Sequence, residues 1–143
     1  MKFISKSLAE TAELAENFVK TIMPKSNGAC IVGLVGELGS GKTAFTQAVA
    51  KILGIEGSVT SPTFVIEKKY PLKDKNFDQF IHIDAYRLKD GHELLKLGWK
   101  DTTFNTKNLI FLEWPERVAG ILSHDIKKVS FTFVDENTRE IEW

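Results

Sequence analysis

Residues 29–35, Ala29-Cys30-Ile31-Val32-Gly33-Leu34-Val35, form an almost unbroken apolar run that ends in Gly36-Glu37-Leu38-Gly39-Ser40-Gly41-Lys42-Thr43. The second stretch matches G-x-x-x-x-G-K-[ST] at every defined position. An apolar run of this length between Gly28 and Gly36 reads as a strand covered on both faces, as in a parallel sheet flanked by helices. Beyond the loop the period changes. Phe45, Ala48, Val49, Ile52 and Leu53 fall on one face of a helix over residues 42–53, which Gly54 stops. Buried strand, glycine loop and amphipathic helix in that order specify an α/β fold.

The same loop carries chemistry. Its glycines permit backbone angles and close approaches that a Cβ would block. Consecutive N–H groups over Glu37, Leu38, Gly39, Ser40, Gly41, Lys42 and Thr43 can then point into one concavity and hold phosphate oxygens. The helix adds its positive N-terminal end. Lys42 can reach β and γ phosphates, and the Thr43 hydroxyl can ligate Mg²⁺. A match by chance is expected in on the order of one chain in a few hundred, and the flanking strand and helix supply the context that chance does not. Such a loop needs a carboxylate at a nearby strand end. Glu113 follows Leu109-Ile110-Phe111-Leu112, and Asp84 follows Phe80-Ile81-His82-Ile83. Strand ends border the ligand crevice of an open α/β sheet, so either acid could reach Mg²⁺ directly or through water.

Elsewhere the pattern predicts a short edge strand over residues 2–4 and a helix from a capping box, Ser7-Leu8-Ala9-Glu10, to about Met23, stopped by Pro24. A strand is expected from Thr63 to Tyr70, with a hairpin-like break at Pro71 among lysines that read as solvated. Asp90 can cap a short helix bearing Leu94, Leu95 and Leu97, ended by Gly98. Residues 129–134 alternate, and Asp135-Glu136-Asn137 turns the chain into a last strand over residues 138–143.

With 143 residues the chain supports one domain and one real core. Zero net charge argues against a protein whose main task is clamping bare nucleic acid. A lone Cys30, read as a buried small hydrophobe, fits a reducing, cytoplasmic setting. No apolar run reaches the roughly 18 residues of a membrane span, and the first residues lack a signal-peptide pattern. Several residues stay open on physics alone. His82 is a packed strand histidine or a site residue. Arg87 stabilises phosphate charge or pairs on the surface. Trp114 packs in the core, covers a nucleotide or meets a partner.

Taken together, Leu38-Gly39-Ser40-Gly41-Lys42-Thr43, Ser61-Pro62-Thr63-Phe64, His82-Ile83-Asp84-Ala85-Tyr86-Arg87-Leu88 and Glu113-Trp114-Pro115 resemble the TsaE (YjeE) family in order and spacing. These are small bacterial ATPases of tRNA threonylcarbamoyladenosine synthesis, and the resemblance spans nearly the whole chain. It implies a P-loop NTPase fold with a mixed, largely parallel sheet flanked by helices, a C-terminal β-hairpin, and one ATPase domain over residues 1–143. It implies binding of ATP or ADP with Mg²⁺ and weak hydrolysis by the isolated subunit. The implied partners are TsaB and TsaD. TsaD transfers the threonylcarbamoyl group to adenosine 37 of tRNAs that read codons beginning with A, and the ATP cycle drives or resets the complex. Contact with tRNA is then mainly through those partners. Carried onto this chain, Gly39 to Thr43 hold phosphate, Thr43 and Glu113 stand at the metal, and Asp84 is a further catalytic or metal-shell acid. Thr63 resembles a γ-phosphate switch, Trp114 lies near nucleotide or partner, and Leu8 and Thr11 lie near the base.

Two other functions share the loop. A small-molecule kinase usually clamps phosphates with several arginines in a lid, and this chain has few arginines and no Arg-rich lid. A GTPase or nucleotide-dependent binding switch usually reads guanine with Asn-Lys-x-Asp. Asn105-Thr106-Lys107-Asn108 lacks that pattern and its Asp.

Overall fold

The computed structural model describes residues 1–57, 59, 66–73 and 75–143. In chain order the elements are β1 (Lys2–Ser5), α1 (Leu8–Val19), β2 (Cys30–Val35), α2 (Lys42–Ile52), β3 (Glu67–Pro71) and β4 (Gln79–Asp84), then α3 (His92–Lys96), α4 (Trp99–Phe104), β5 (Asn108–Glu113), a 3-10 segment (Pro115–Ile121), β6 (Lys127–Phe133) and β7 (Arg139–Glu142). The strands form a seven-stranded sheet in the order β1-β7-β6-β2-β5-β4-β3.

The middle of the sheet is parallel: β2 pairs with β5 and β6, and β4 pairs with β5. Antiparallel strands close both edges, β3 beside β4 and the β6–β7 hairpin extended by β1. The hairpin turn is held by Asp135, whose Oδ1 accepts the N–H groups of Asn137 and Thr138, both at 2.9 Å. Strand side chains alternate between faces. Cys30, Val32 and Leu34 of β2, Phe80 of β4 and Leu109 and Phe111 of β5 pack under Phe18 of α1 and Phe45 and Val49 of α2. Ile31, Ile81, Ile83, Ile110 and Leu112 pack on the other face with Leu94 of α3, Trp99 of α4 and Val118. Both faces of the central strands are therefore dry, which is what the unbroken apolar runs required.

The capping box forms: the Ser7 hydroxyl accepts the Glu10 N–H at 3.0 Å, and the Glu10 carboxylate accepts the Lys6 N–H at 2.6 Å. The helix, however, ends at Val19 rather than near Met23. Thr21 and Ile22 donate to carbonyls only three residues back, and the Thr21 hydroxyl takes the Phe18 carbonyl at 2.7 Å. Ile22 is still buried, so its helical spacing reflected the core and not the backbone. Pro71 does not break β3 but closes it, paired with Gln79 on an edge strand where its missing N–H costs nothing. Gly98, expected to stop α3, also starts α4 with φ at 89°, and α4 itself has no counterpart in the sequence reading. The expected start of β3 at Thr63, and the Ser61-Pro62-Thr63-Phe64 element, lie outside the described residues. Among the described residues no helix is long and apolar enough to cross a membrane.

Candidate active site

The loop between β2 and α2 is shaped by backbone that only glycine tolerates. Gly36 has φ of 155°, and a Cβ there would lie 2.6 Å from the Phe131 carbonyl oxygen and 2.7 Å from Ser40 Oγ. Gly41 has φ of 107° and stands at the N-terminus of α2 with no side-chain cap, so the first N–H groups of the helix face the loop. The Ser40 N–H donates to the Glu37 carbonyl at 3.2 Å, drawing the loop into a turn. Ser40 is buried, and its Oγ has no partner among the described residues.

Lys42 is only 5% exposed. Its ammonium donates to the Gly36 carbonyl, and to that of Glu37 at 3.3 Å. It also sits 4.0 Å from the centroid of the Trp114 ring. Burial pulls its proton affinity below the ordinary lysine value, while Glu113, Glu116 and Asp84 oppose that shift. Thr43 is half-buried in the first turn of α2.

Parallel register brings the acids to this loop. Leu34, two residues before Gly36, pairs with Glu113, and Glu113 pairs with Asp84 on its other side. Glu113 is buried and accepts from or shares a proton with His82, Nε2 to Oε2 2.7 Å. Asp84 is half-buried, and its Oδ1 accepts the Tyr86 N–H at 3.0 Å. Burial raises the Asp84 carboxyl above its ordinary value and Glu113 adds to the rise, against the Tyr86 bond, His82 and Lys42. The site thus joins a loop cation to two strand-end acids in a poorly solvated corner.

Trp114 follows Glu113 with φ of 60° and ψ of 52°, and among the described residues it alone has a positive φ without being glycine. The bend lets its N–H meet the Leu34 carbonyl at 3.4 Å and turns its ring onto Lys42 and onto Tyr86, 5.0 Å between centroids. Of the open readings for this residue, core packing is met: Trp114 packs against the cluster of Ile83, Leu112 and Val118, beside the loop. Arg87 is exposed.

The start of α1 reaches the loop indirectly. Thr11 is buried and its hydroxyl bonds the Ser5 hydroxyl at 2.7 Å. Ser5 pairs with Arg139 across β1 and β7. Arg139 in turn covers Gly41: a Cβ on Gly41 would lie 2.7 Å from its Nη1 and 2.8 Å from its Cδ. Leu8 is 71% exposed on the outer side of the same helix start. Thr63 lies outside the described residues. Sequence reasoning missed Arg139, which lies in the last strand far from the glycine loop in the chain; only the β6–β7–β1 pairing lays it on the loop.

The chain has recognisable relatives among known proteins. The chain matches the family described as Threonylcarbamoyl adenosine biosynthesis protein TsaE over residues 5–141. It is similar to the tRNA threonylcarbamoyladenosine biosynthesis protein TsaE of Treponema pallidum, with 30% identity over 141 residues, 99% of this chain and 98% of that protein. The protein of the same name from Haemophilus influenzae is 37% identical over 114 residues, 80% of this chain and 69% of its own length. The crystal structure of Bacillus subtilis YdiB superposes with a TM-score of 0.77 at 26% identity, covering 99% of this chain and 82% of that one. With the glycine loop, the strand-end acids and a family match across residues 5–141, the chain belongs to the TsaE family of tRNA threonylcarbamoyladenosine biosynthesis proteins.

Proposed function

We propose that this chain is a single P-loop ATPase domain that binds ATP or ADP with Mg²⁺ at residues 36–43 and hydrolyses ATP weakly alone. It works with TsaB and TsaD in the cytoplasm to drive or reset threonylcarbamoylation of adenosine 37 in tRNAs reading codons that begin with A. It does not itself transfer the group, and it meets tRNA mainly through its partners. The observation that carries the reading is the convergence of Lys42, Thr43 and the α2 N-terminus with Glu113 and Asp84 through the β2–β5–β4 register.

The residues present fit a nucleotide. The buried Ser40 Oγ without a partner among the described residues, and the uncapped α2 N-terminus, are what an oxygen-rich anion would satisfy. Among the described residues no group of three His, Cys, Asp or Glu is arranged to hold a metal ion. Mg²⁺ usually keeps waters and shares its shell with phosphates. In this reading the Thr43 hydroxyl, Glu113 and Asp84 would hold it, directly or through water. Mg²⁺, when bound, supplies charge neutralisation at the β and γ oxygens. Lys42 leaves the Gly36 carbonyl for the phosphates. Arg139 and the start of α1, with Leu8 and Thr11, border the nucleotide, and Trp114 screens Lys42 from water. Thr63 is assigned to γ-phosphate sensing by family resemblance.

The test is multiple-turnover tRNA modification by TsaB and TsaD, with this chain, without it, and with the Lys42→Ala variant. Sustained turnover is expected only with the wild-type chain. Equal turnover in all three arms overturns the assignment.

A further inference from the structure

His82 lies on β4 two residues before Asp84, and its side chain is fully buried. Alternation puts it on the same face as Phe80, toward α1 and α2. In the sheet register it pairs with Phe111, yet its Nε2 reaches past that residue to Glu113 Oε2, 2.7 Å away. The contact is a diagonal one between neighbouring parallel strands, made on the face whose buried members are apolar, Phe80 and Phe111 among them with ring centroids 5.1 Å apart. A histidine in such a layer is costly unless hydrogen-bonded.

The proton can be placed. Nδ1 is buried and has no partner among the described residues. A ring protonated on Nδ1 alone would bury an N–H with nothing to bond and leave the 2.7 Å contact with the carboxylate without a donor. A ring protonated on Nε2 gives the carboxylate a donor. Nε2–H therefore donates to Glu113 Oε2.

We infer that His82 is a positioning residue: by holding Oε2 of Glu113 it sets the carboxylate plane that Glu113 presents to the divalent cation accompanying the nucleotide. The inference rests on the nucleotide reading of the loop and adds to it the residue that orients one ligand. A strand-end carboxylate gains from such a device. Glu113 ends a strand and has two rotatable bonds beyond Cβ, whereas Mg²⁺ accepts near-octahedral geometry only. Partners that hydrogen-bond a ligating carboxylate fix its orientation, and losing one typically weakens metal affinity about 10–100-fold. A histidine whose sole duty was packing would instead be replaceable by an apolar residue of similar volume.

The experiment compares wild type, His82→Gln, which retains an N–H donor near the Nε2 position, and His82→Leu, which does not. Calorimetry measures ADP affinity without metal, and electron paramagnetic resonance measures Mn²⁺ affinity for the ADP-bound full chain. Imidazole ¹⁵N shifts of the wild-type protein give the tautomer. The expected result is an Nε2–H tautomer, metal-free ADP affinity near wild type in all three, and Mn²⁺ affinity about 10–100-fold weaker in His82→Leu but close to wild type in His82→Gln. Unchanged Mn²⁺ affinity in a folded His82→Leu, equal loss in both variants, or an Nδ1–H tautomer overturns the inference. Should His82→Leu fail to fold, His82→Met, unbranched and likewise without an N–H donor, takes its place with the same expected loss. Absence of ADP binding by wild type is a different outcome, and overturns the nucleotide reading on which this one stands.

Discussion

The Lys42 ammonium rests 4.0 Å from the centroid of the Trp114 ring while it donates to the Gly36 carbonyl. One residue opens α2 and the other follows β5, so the contact ties the loop to the end of the strand that carries Glu113. A cation over an indole face is worth roughly 0.5–1 kcal/mol when exposed and about 2 or more when desolvated. Lys42 is thus held in place by the Gly36 and Glu37 carbonyls and by the Trp114 ring.

Removing the cation tests the loop. Lys42→Ala deletes a charge-assisted contact of ~1.5–3 kcal/mol, so ATP affinity should fall roughly 10–100-fold. Titration calorimetry measures it, and unchanged affinity would remove Lys42 from the phosphate site.

Asp84→Asn separates chemistry from folding. The amide oxygen can still accept the Tyr86 N–H, so the turn after β4 is retained. Hydrolysis by the chain in the presence of TsaB and TsaD should drop roughly 10–100-fold with cooperative melting preserved. Full hydrolysis in a natively melting variant counts against a role for this acid.

Trp114 stores backbone strain. A non-glycine residue in the left-handed region costs roughly 1–2 kcal/mol. Both Trp114→Ala and Trp114→Gly lose the contacts to Lys42 and Tyr86, but only glycine relieves that cost. Denaturant titration should find the Gly variant about 1 kcal/mol more stable than the Ala variant. Equal stabilities would mean the bend is unstrained.

Glu67 makes stability depend on pH. Burial lifts its carboxyl above the ordinary 4.5, with Lys69 opposing. The folded chain then binds this proton more tightly than the unfolded chain, so the ionised form weakens the fold at neutral pH. The penalty fades as pH falls through the raised folded value and is gone below 4.5. Glu67→Gln should therefore melt above wild type at pH 7, the two curves meeting under acid. A gain that persists unchanged below the ordinary carboxyl range would place its cause elsewhere.

How far the site could be read in advance follows from how local each part is. Gly36 to Thr43 are contiguous, and their conformation depends on missing Cβ atoms and on the helix that follows at once. The covered central strands are equally local, because side chains on both faces must be apolar wherever helices lie on both sides. Glu113 and Asp84 stood out as acids ending apolar runs, and the parallel register sets them side by side. Ile22 misled the helix boundary because burial leaves the same mark on a helix and on the turn after it. The Ser61-Pro62-Thr63-Phe64 element lies outside the described residues.

Sequence alone, through glycine, lysine, an unbroken apolar run and a helical apolar face, determined the strand–loop–helix unit and the acids available to it. Tertiary structure decided which distant residues complete it. His82 meets Glu113 only when β4 and β5 align in register, Arg139 covers Gly41 only when β7 closes against β1, and Trp114 meets Lys42 only through a left-handed bend after β5. Each is a contact between elements far apart in the chain. Such contacts are set by strand order and register, which sum many weak side-chain preferences over the whole sheet and leave no pattern in any one segment.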